Sequence, residues 1–248
     1  MTIDWSPLRR ELREWEGENR SLPLWWRDDD ATQNTSQLDR LIALSDRLAV
    51  PVHLAVIPAH VASDLVLPPS MIPVVHGWSH SSHAPPGEKK AEFGANRPHS
   101  ALTGDAKAGL SGLRTRFGPR LAPMFVPPWN RITPDLLPDL AAMGYQTMST
   151  YGPRATGPAG IGQVNTHLDP IDWRGTRSLA APDQLLAQLV QVLQDRRHGR
   201  TDATEPLGVL THHLVHDTPI WTFTAAVLQE LCSGPVTLWT HPQPEFPA

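Results

Sequence analysis

The chain has 248 residues, 40% hydrophobic and 19% charged, which suits one large domain or two small ones with ample length for a real core. A net charge of −4 and a pI near 6.3 give no electrostatic footprint for nucleic acid or anionic membrane, so neither is expected as a partner. The single cysteine, Cys232, excludes an internal disulfide framework and a cysteine-based metal site, and leans towards the reducing cytoplasm. The N-terminal segment meets charges too early for a secretory leader and no run of about 18 apolar residues exists, so a cytoplasmic chain without a membrane span is expected.

Ser6-Pro7 predicts the N-cap and first turn of a lead-in helix, with Leu8, Leu12 and Trp15 as its apolar stripe and an end near Gly17. Residues 1–20 are read as this lead-in and 21–248 as one barrel domain. Leu22 to Trp26 predicts a strand, followed directly by Asp28-Asp29-Asp30. Ser36 caps a helix with Leu38, Leu41, Ile42 and Leu48 on one face. Val52 to Ile57 is a strand, Pro58 opens a helix or turn reaching about Val66, and Ile72 to Val75 is a strand that runs into His76. Residues 77–98 form a polar loop of a length that usually carries function.

A helix at about 100–117 and a strand at Met124 to Val126 follow. Thr133-Pro134 starts a helix that ends at Gly144, with Pro138 inside the pattern, and Tyr145 to Ser149 is a strand. The segment 151–162 is a Gly/Pro-rich loop, and Ile161 to Asn165 is a short strand. Pro182 opens a helix with Leu185, Leu186, Leu189, Val190 and Leu193. Leu207 to Leu210 is a strand ending in Thr211-His212-His213. Thr218-Pro219 opens the last helix, which stops before Gly234, and Val236 to Trp239 is the final strand. This alternation predicts a mainly parallel sheet, and seven or eight strand candidates fit a (β/α) barrel better than an open doubly wound sheet. No Gly-x-Gly-x-x-Gly follows the first strand, which removes the main support for dinucleotide binding.

Three adjacent carboxylates at the end of a buried strand repel one another and lose hydration, and a bound cation relieves both costs. His76 and His80, four apart, can present both rings on one face of a helical turn. Together these segments offer one Asp and two His to a metal, with a second Asp left for acid–base work. In parallel barrels functional groups gather at the C-terminal ends of the strands. Asp28–Asp30, His76 with His80, Trp129 with Asn130, His167 with Asp169 and Asp172, and His212 with His213 each follow a predicted strand, and so share that end.

These segments resemble, in order, the five short motifs of the polysaccharide deacetylase family, the family 4 carbohydrate esterases related to the rhizobial chitooligosaccharide deacetylase. Arg27-Asp28-Asp29-Asp30-Ala31 is similar to Thr-Phe-Asp-Asp-Gly, and His76-Gly-Trp-Ser-His80 to His-Ser/Thr-x-x-His. Val126-Pro-Pro-Trp-Asn130 is similar to Arg-x-Pro-Tyr/Phe-Gly, Asp169-Pro-Ile-Asp172-Trp173 to Asp-x-x-Asp-Trp, and Leu210-Thr-His212 to Leu-x-His. The resemblance spans residues 24–213 and implies a distorted (β/α)7-type barrel. It implies Asp30, His76 and His80 as metal ligands, Asp29 as general base and His212 as general acid. It further implies Pro128, Trp129, Asn130, Trp173 and Leu210 as substrate-binding residues, Leu210 lining an acyl-methyl pocket.

Three departures stand out. Val126 replaces the arginine that orients the base, with Arg27 or Arg131 as candidates for its role, and Ala31 and Gly77 replace Gly and Ser/Thr. Several alternatives stay open. Asp28 can serve as base with Asp29 as ligand, His83 can replace His76, and His213 competes with His212. Glu92 reads as a solvated loop charge, and Trp129 and Trp173 as either core or cleft wall. His167 and Asp169 read as support for the strand-end network, and His53 and His241 receive no functional reading.

The expected function is therefore metal-dependent hydrolysis of non-peptide carbon–nitrogen bonds, with N-deacetylation of an amino sugar or polysaccharide as the leading case. Hydrolysis of another small amide or cyclic ureide, and a non-catalytic carbohydrate-binding barrel, are the alternatives. The expected cofactor is one divalent ion. Zinc suits His₂Asp best, with cobalt, nickel, manganese or iron compatible. The expected partner is a small-molecule or oligosaccharide substrate.

Overall fold

The computed structural model describes residues 3–154 and 160–242. Its strands are β1 (Leu22–Ala31), β2 (Val52–Val56), β3 (Met71–His76), β4 (Met124–Val126), β5 (Thr147–Met148), β6 (Gly162–Gln163), β7 (Leu207–Thr211) and β8 (Val236–Leu238). Its helices are α1 (Ser6–Gly17), α2 (Ser36–Leu48), α3 (His99–Phe117), α4 (Leu137–Met143), α5 (Pro182–Arg197) and α6 (Thr218–Cys232). Every strand pair is parallel, in the order β6-β5-β4-β3-β2-β1-β7, with β8 beside the first residues of β1.

The curl of this sheet continues past β6 through irregular backbone. Tyr151 bridges Thr166 and Leu168 bridges Val209, both in parallel. The His167 amide donates to the Gly208 carbonyl at 2.7 Å, and the Leu210 amide to Leu168 at 2.8 Å. Gly208 permits the approach, since a Cβ there would lie 2.5 Å from the Asn165 carbonyl oxygen. The sheet is thus the distorted (β/α) barrel expected, curled into a half-barrel whose open side is drawn in by the segment after β6.

Strand periodicity sorts the side chains into two layers. Trp25, Ala55, Val74, Met124, Val126 and Val164 pack together inside the curl. Leu22, Leu24, Trp26, Val52, Leu54, Val56 and Leu207 belong to the larger core beneath the helices. Burial of each such aliphatic or aromatic side chain contributes about 1.5–3 kcal/mol. Leu8, Leu12 and Trp15 of α1 are buried, and α1 packs on α5 and α6. Among the described residues no helix is long and apolar enough to cross a membrane.

Several boundaries differ from the sequence expectation for identifiable reasons. β1 runs to Ala31, so the three aspartates belong to the strand and do not follow it. Ser6 is the first helical residue of α1, and the Asp4 carboxylate accepts from its amide. Thr35, not Ser36, caps α2 by accepting from the Leu38 amide at 3.0 Å. Pro58 opens only a single 3-10 turn, Pro58–His60. The strands expected at Tyr145–Ser149 and Ile161–Asn165 shorten to two paired residues each. The loop 77–98 is not polar throughout, because Ala91, Glu92 and Phe93 are buried. Residues 155–159 of the Gly/Pro-rich loop lie outside the described residues.

Candidate active site

The extension of β1 assigns its charged residues by alternation. Arg27 and Asp29 share the interior face with Trp25, while Asp28 shares the outer face with Trp26. Arg27, fully buried, grips Asp29 with two atoms: Nη2 donates to Oδ2 at 3.0 Å and Nε lies 2.9 Å from Oδ1 as an ion pair, out of hydrogen-bond alignment. The same guanidinium donates to Ser149 Oγ and Asn130 Oδ1, each at 2.7 Å. Of the two arginines considered, Arg27 is therefore the one that meets Asp29. Arg131 instead donates to the Lys90 carbonyl at 2.7 Å.

Asp28 faces the opposite way and lies outside the Asp30–His76–His80 group. Its carboxylate accepts from Thr211 Oγ1 at 2.6 Å and from the His213 amide at 3.0 Å, and it pairs with His213 Nδ1 at 2.5 Å. Burial alone would raise the Asp28 pKa, but the charge and hydrogen bond of His213 hold it below the usual carboxylate range. Burial likewise opposes a charged His213, and Asp28 raises its pKa. His213 is thus committed to Asp28, and the two residues that flank His212, Thr211 and His213, are both tied to one carboxylate.

Alternation breaks at Asp30. The register shifts between Asp28 and Ala31, and Asp30 takes a φ of 74°, which turns its side chain towards β3. Asp30 Oδ1 lies 3.1 Å from His76 Nε2 and 3.2 Å from His80 Nε2. Among the described residues these three form the one group of metal-ligating side chains whose donor atoms all lie within 4.8 Å of one another. His83, the alternative ligand, is exposed and lies outside the group.

The donor chemistry fits a cation. His76 Nδ1 is 3.0 Å from the Val126 carbonyl, which can only accept, so Nδ1 carries the proton and Nε2 of the neutral ring is a bare acceptor. Two acceptors, Nε2 and Oδ1, then face each other at 3.1 Å, an arrangement that a cation or a further proton relieves. Burial opposes charge on Asp30, but His76, His212 and His80 together hold its carboxyl well below the ordinary range. Burial also disfavours charge on His76, where Asp29 and Asp30 prevail and raise it. In His80 burial and the charge of His76 prevail and lower it.

The two histidines are not on a helical turn. Gly77 and His80 both adopt φ 55°, and the chain between them bends around Glu92. Glu92 is fully buried and is no solvated loop charge. Its carboxylate accepts from the amides of Trp78 at 3.2 Å and Ser79 at 2.7 Å and from Ser79 Oγ at 2.9 Å. A Cβ on residue 77 would meet Glu92 Oε2 at 2.4 Å and Pro128 Cδ at 2.5 Å. Gly77 and Glu92 therefore belong together, the glycine leaving room for the carboxylate that fixes the loop. Sequence reasoning missed Glu92, which the polar loop around it hides.

Across the cleft, His212 Nε2 lies 3.9 Å from Asp29 Oδ2. The Trp173 ring meets the His212 ring edge-on at 4.7 Å, and its Nε1 donates to Asp169 Oδ2 at 2.7 Å. The Trp129 ring lies 4.4 Å from His80. Trp173 is exposed and Trp129 half-buried, so neither is a core residue. Pro128 is buried against Gly77, and the side-chain oxygen of Asn130 accepts from Arg27 Nη2. Leu210 is buried and in register with Arg27, hence on the interior face below His212.

Other expected members of the strand-end group fall outside it. His167 is buried against Arg196 of α5 and Glu205, with burial lowering its pKa. Asp172 accepts from the Gly175 and Thr176 amides of its own turn. Seven described non-glycine residues have positive φ, and five of them (Asp30, His80, Trp129, Asn130 and Arg177) lie in or beside this cleft. Such strain persists where surrounding structure over-determines it, and it concentrates at functional sites.

The class of fold is that of the family 4 carbohydrate esterases, the polysaccharide deacetylases. Similar solved structures include a family 4 carbohydrate esterase from Streptomyces lividans in complex with acetate, 12% identical, covering 88% of this chain and 92% of that one with a TM-score of 0.55. A family 4 acetyl xylan esterase from Clostridium thermocellum in complex with a cobalt ion is 15% identical and covers 87% of this chain and 86% of that one, with a TM-score of 0.51. A pseudoenzyme of the same family from Bacillus anthracis is 12% identical and covers 88% of this chain and 64% of that one, with a TM-score of 0.54. No protein-family model and no curated protein matches the sequence. At these identities the likeness establishes the fold and nothing finer.

Proposed function

We propose that this chain is a metal-dependent hydrolase of non-peptide carbon–nitrogen bonds that removes an acyl group from the nitrogen of an amino sugar or polysaccharide. One observation carries the reading: Asp30, His76 and His80 converge on one point, with Asp29 gripped by Arg27 beside them and His212 3.9 Å from Asp29. The fold by itself does not decide, because it also serves a pseudoenzyme. A divalent ion held by Asp30, His76 and His80 supplies a lowered pKa for water and a polarised substrate carbonyl, zinc being the best match to the ligand set.

The protein groups divide the remaining work. Asp29, oriented by Arg27, takes a proton from the attacking water. The backbone amide of Trp129 stabilises the developing oxyanion. His212 delivers a proton to the departing nitrogen, which leaves as an amine while the acyl group leaves as a carboxylate. Leu210 borders the acyl methyl from below, and Trp129 and Trp173 flank the sugar.

Elemental analysis tests the centre: about one divalent ion per chain, lost in Asp30→Ala and His80→Ala. Acetate release from N-acetylglucosamine oligomers, set against a panel of small amides and cyclic ureides, tests the substrate. A chain that takes up no divalent ion and turns over no member of the panel would reject the hydrolase.

A further inference from the structure

The ring of His212 is not gripped by hydrogen bonds of its own. Its Nδ1 is buried and has no hydrogen-bond partner among the described residues, and its Nε2 lies 3.9 Å from Asp29. Asp169, at the same end of the sheet, accepts instead from Trp173 Nε1 and the Ile171 amide. Such a ring takes its position from its backbone and from the walls around it. That backbone is held on both sides by one carboxylate. Thr211 Oγ1 donates to Asp28 at 2.6 Å, and His213 donates to it from its amide at 3.0 Å and from Nδ1 at 2.5 Å. The His212 amide itself donates to His216 Nε2 at 3.3 Å, and the His216 ring meets the Trp221 ring edge-on at 4.7 Å.

All three contacts on Asp28 end on β1, one residue from Asp29 and two from Asp30. Asp28 is fully buried and in register with Thr211, and β1 is paired on both sides, with β2 and β7. The aspartate triplet therefore refers the turn that carries His212, the carboxylate held by Arg27 and the Asp30–His76–His80 group to consecutive residues of one fixed strand. A buried ion pair contributes little net stability compared with packed apolar residues of the same volume. What the Asp28–His213 pair supplies is a set geometry on either side of His212.

We infer that Asp28 and His213 are positioning residues for His212: they lock its turn onto β1 and so fix where its Nε2 delivers a proton. This inference rests on His212 being the proton donor of the proposed hydrolase. As the carbon–nitrogen bond breaks, its electron pair goes to the nitrogen, which takes the proton from His212 Nε2, and a misplaced donor slows that step. The test compares N-acetylglucosamine oligomers with 4-nitrophenyl acetate on the zinc-loaded full chain. The aryl ester releases a stable aryloxide and needs no proton donor, so damage confined to His212 spares it.

His213→Leu lowers kcat for the amide about 10–100-fold and leaves kcat for the ester within about twofold. His213→Asn, whose side-chain N–H can donate where Nδ1 does, restores most of the loss. In a His212→Ala background His213→Leu costs no more than about a further twofold, because a residue acting through His212 has nothing left to act on. If His213→Leu leaves Asp28 too poorly partnered for the chain to fold, Asp28→Leu/His213→Leu removes both partners together and takes its place. Ring NMR reads the position without turnover: the Overhauser contact between the His212 and Trp173 rings, 4.7 Å apart, is lost in the leucine variants and present in His213→Asn. A contact kept in the leucine variants, an equal loss on amide and ester, or full additivity with His212→Ala would overturn the proposal. A native chain that turns over neither substrate rejects the hydrolase reading, and the ring contact alone then decides whether Asp28 and His213 place His212.

Discussion

The floor of the barrel and its mouth each hold a buried histidine, and the two differ in one ring atom. At the floor, the His241 amide donates to His53 Nε2 at 3.0 Å, so the proton sits on Nδ1, 3.3 Å from the Trp26 carbonyl. Trp25 and Trp239 pack around the ring, and burial pushes its pKa down to about 3. At the mouth, His76 fixes Nδ1 on a carbonyl in the same manner, but its Nε2 points at Asp30, which His80 also faces. Equal burial thus accompanies a ring saturated by protein in one place and half-saturated in the other. What sets His76 apart is an unspent atom aimed at other unspent atoms.

The largest test of this contrast is Asp29→Asn, for which kcat falls about 10²–10⁴-fold while the chain keeps its metal. Loss of the ion along with the activity would make Asp29 a ligand and break the division of labour within the aspartate triplet. Arg27→Met leaves a buried carboxylate uncompensated, and urea unfolding should register a loss of about 3–5 kcal/mol together with reduced kcat. A variant of native stability would mean that Arg27 is not the partner that holds the base.

The floor makes its own prediction. With a folded pKa of about 3 against about 6.5 unfolded, His53 contributes stability above pH 6.5 that drains away as the pH falls towards 3, at roughly 1.4 kcal/mol per pH unit. His53→Gln keeps one donor and one acceptor but cannot titrate. The difference in stability between the variant and the native chain should therefore shrink steadily between pH 7 and 4. The smallest effect belongs to Glu92→Gln, which retains an acceptor oxygen but loses the charge and the other acceptor. Its affinity for zinc, measured against a chelator, should weaken about 10–100-fold with the fold intact. Unchanged affinity would show that the loop between His76 and His80 holds its shape without Glu92.

Much of this was legible in the chain. The order of strands and helices, the Asp-rich and His-rich segments and their gathering at one end of the sheet follow from apolar patterning and from the geometry of parallel strands. The partnership of Arg27 with Asp29 was legible in principle, since residues two apart share a strand face. It was obscured because the apolar run stops at Trp26, and charged residues within a buried strand are rare unless paired. The positive φ of Asp30 left no such trace. An aspartate gives no local sign of the register shift that turns it from the outer face to the mouth.

The sequence by itself determined which groups exist and at which end of the strands they emerge, because alternation and connectivity are local properties of the chain. Only the tertiary structure decided which atoms are spent. Asp28 closes on His213, 185 residues away, Glu92 on two backbone amides of another loop segment, and Asp29 on Arg27, which Ser149 and Asn130 hold from distant segments. Desolvation drives most buried polar atoms to find a partner, and those partners are fixed only when the strands and loops are packed. Asp30, His76 and His80 are what that packing leaves facing one another.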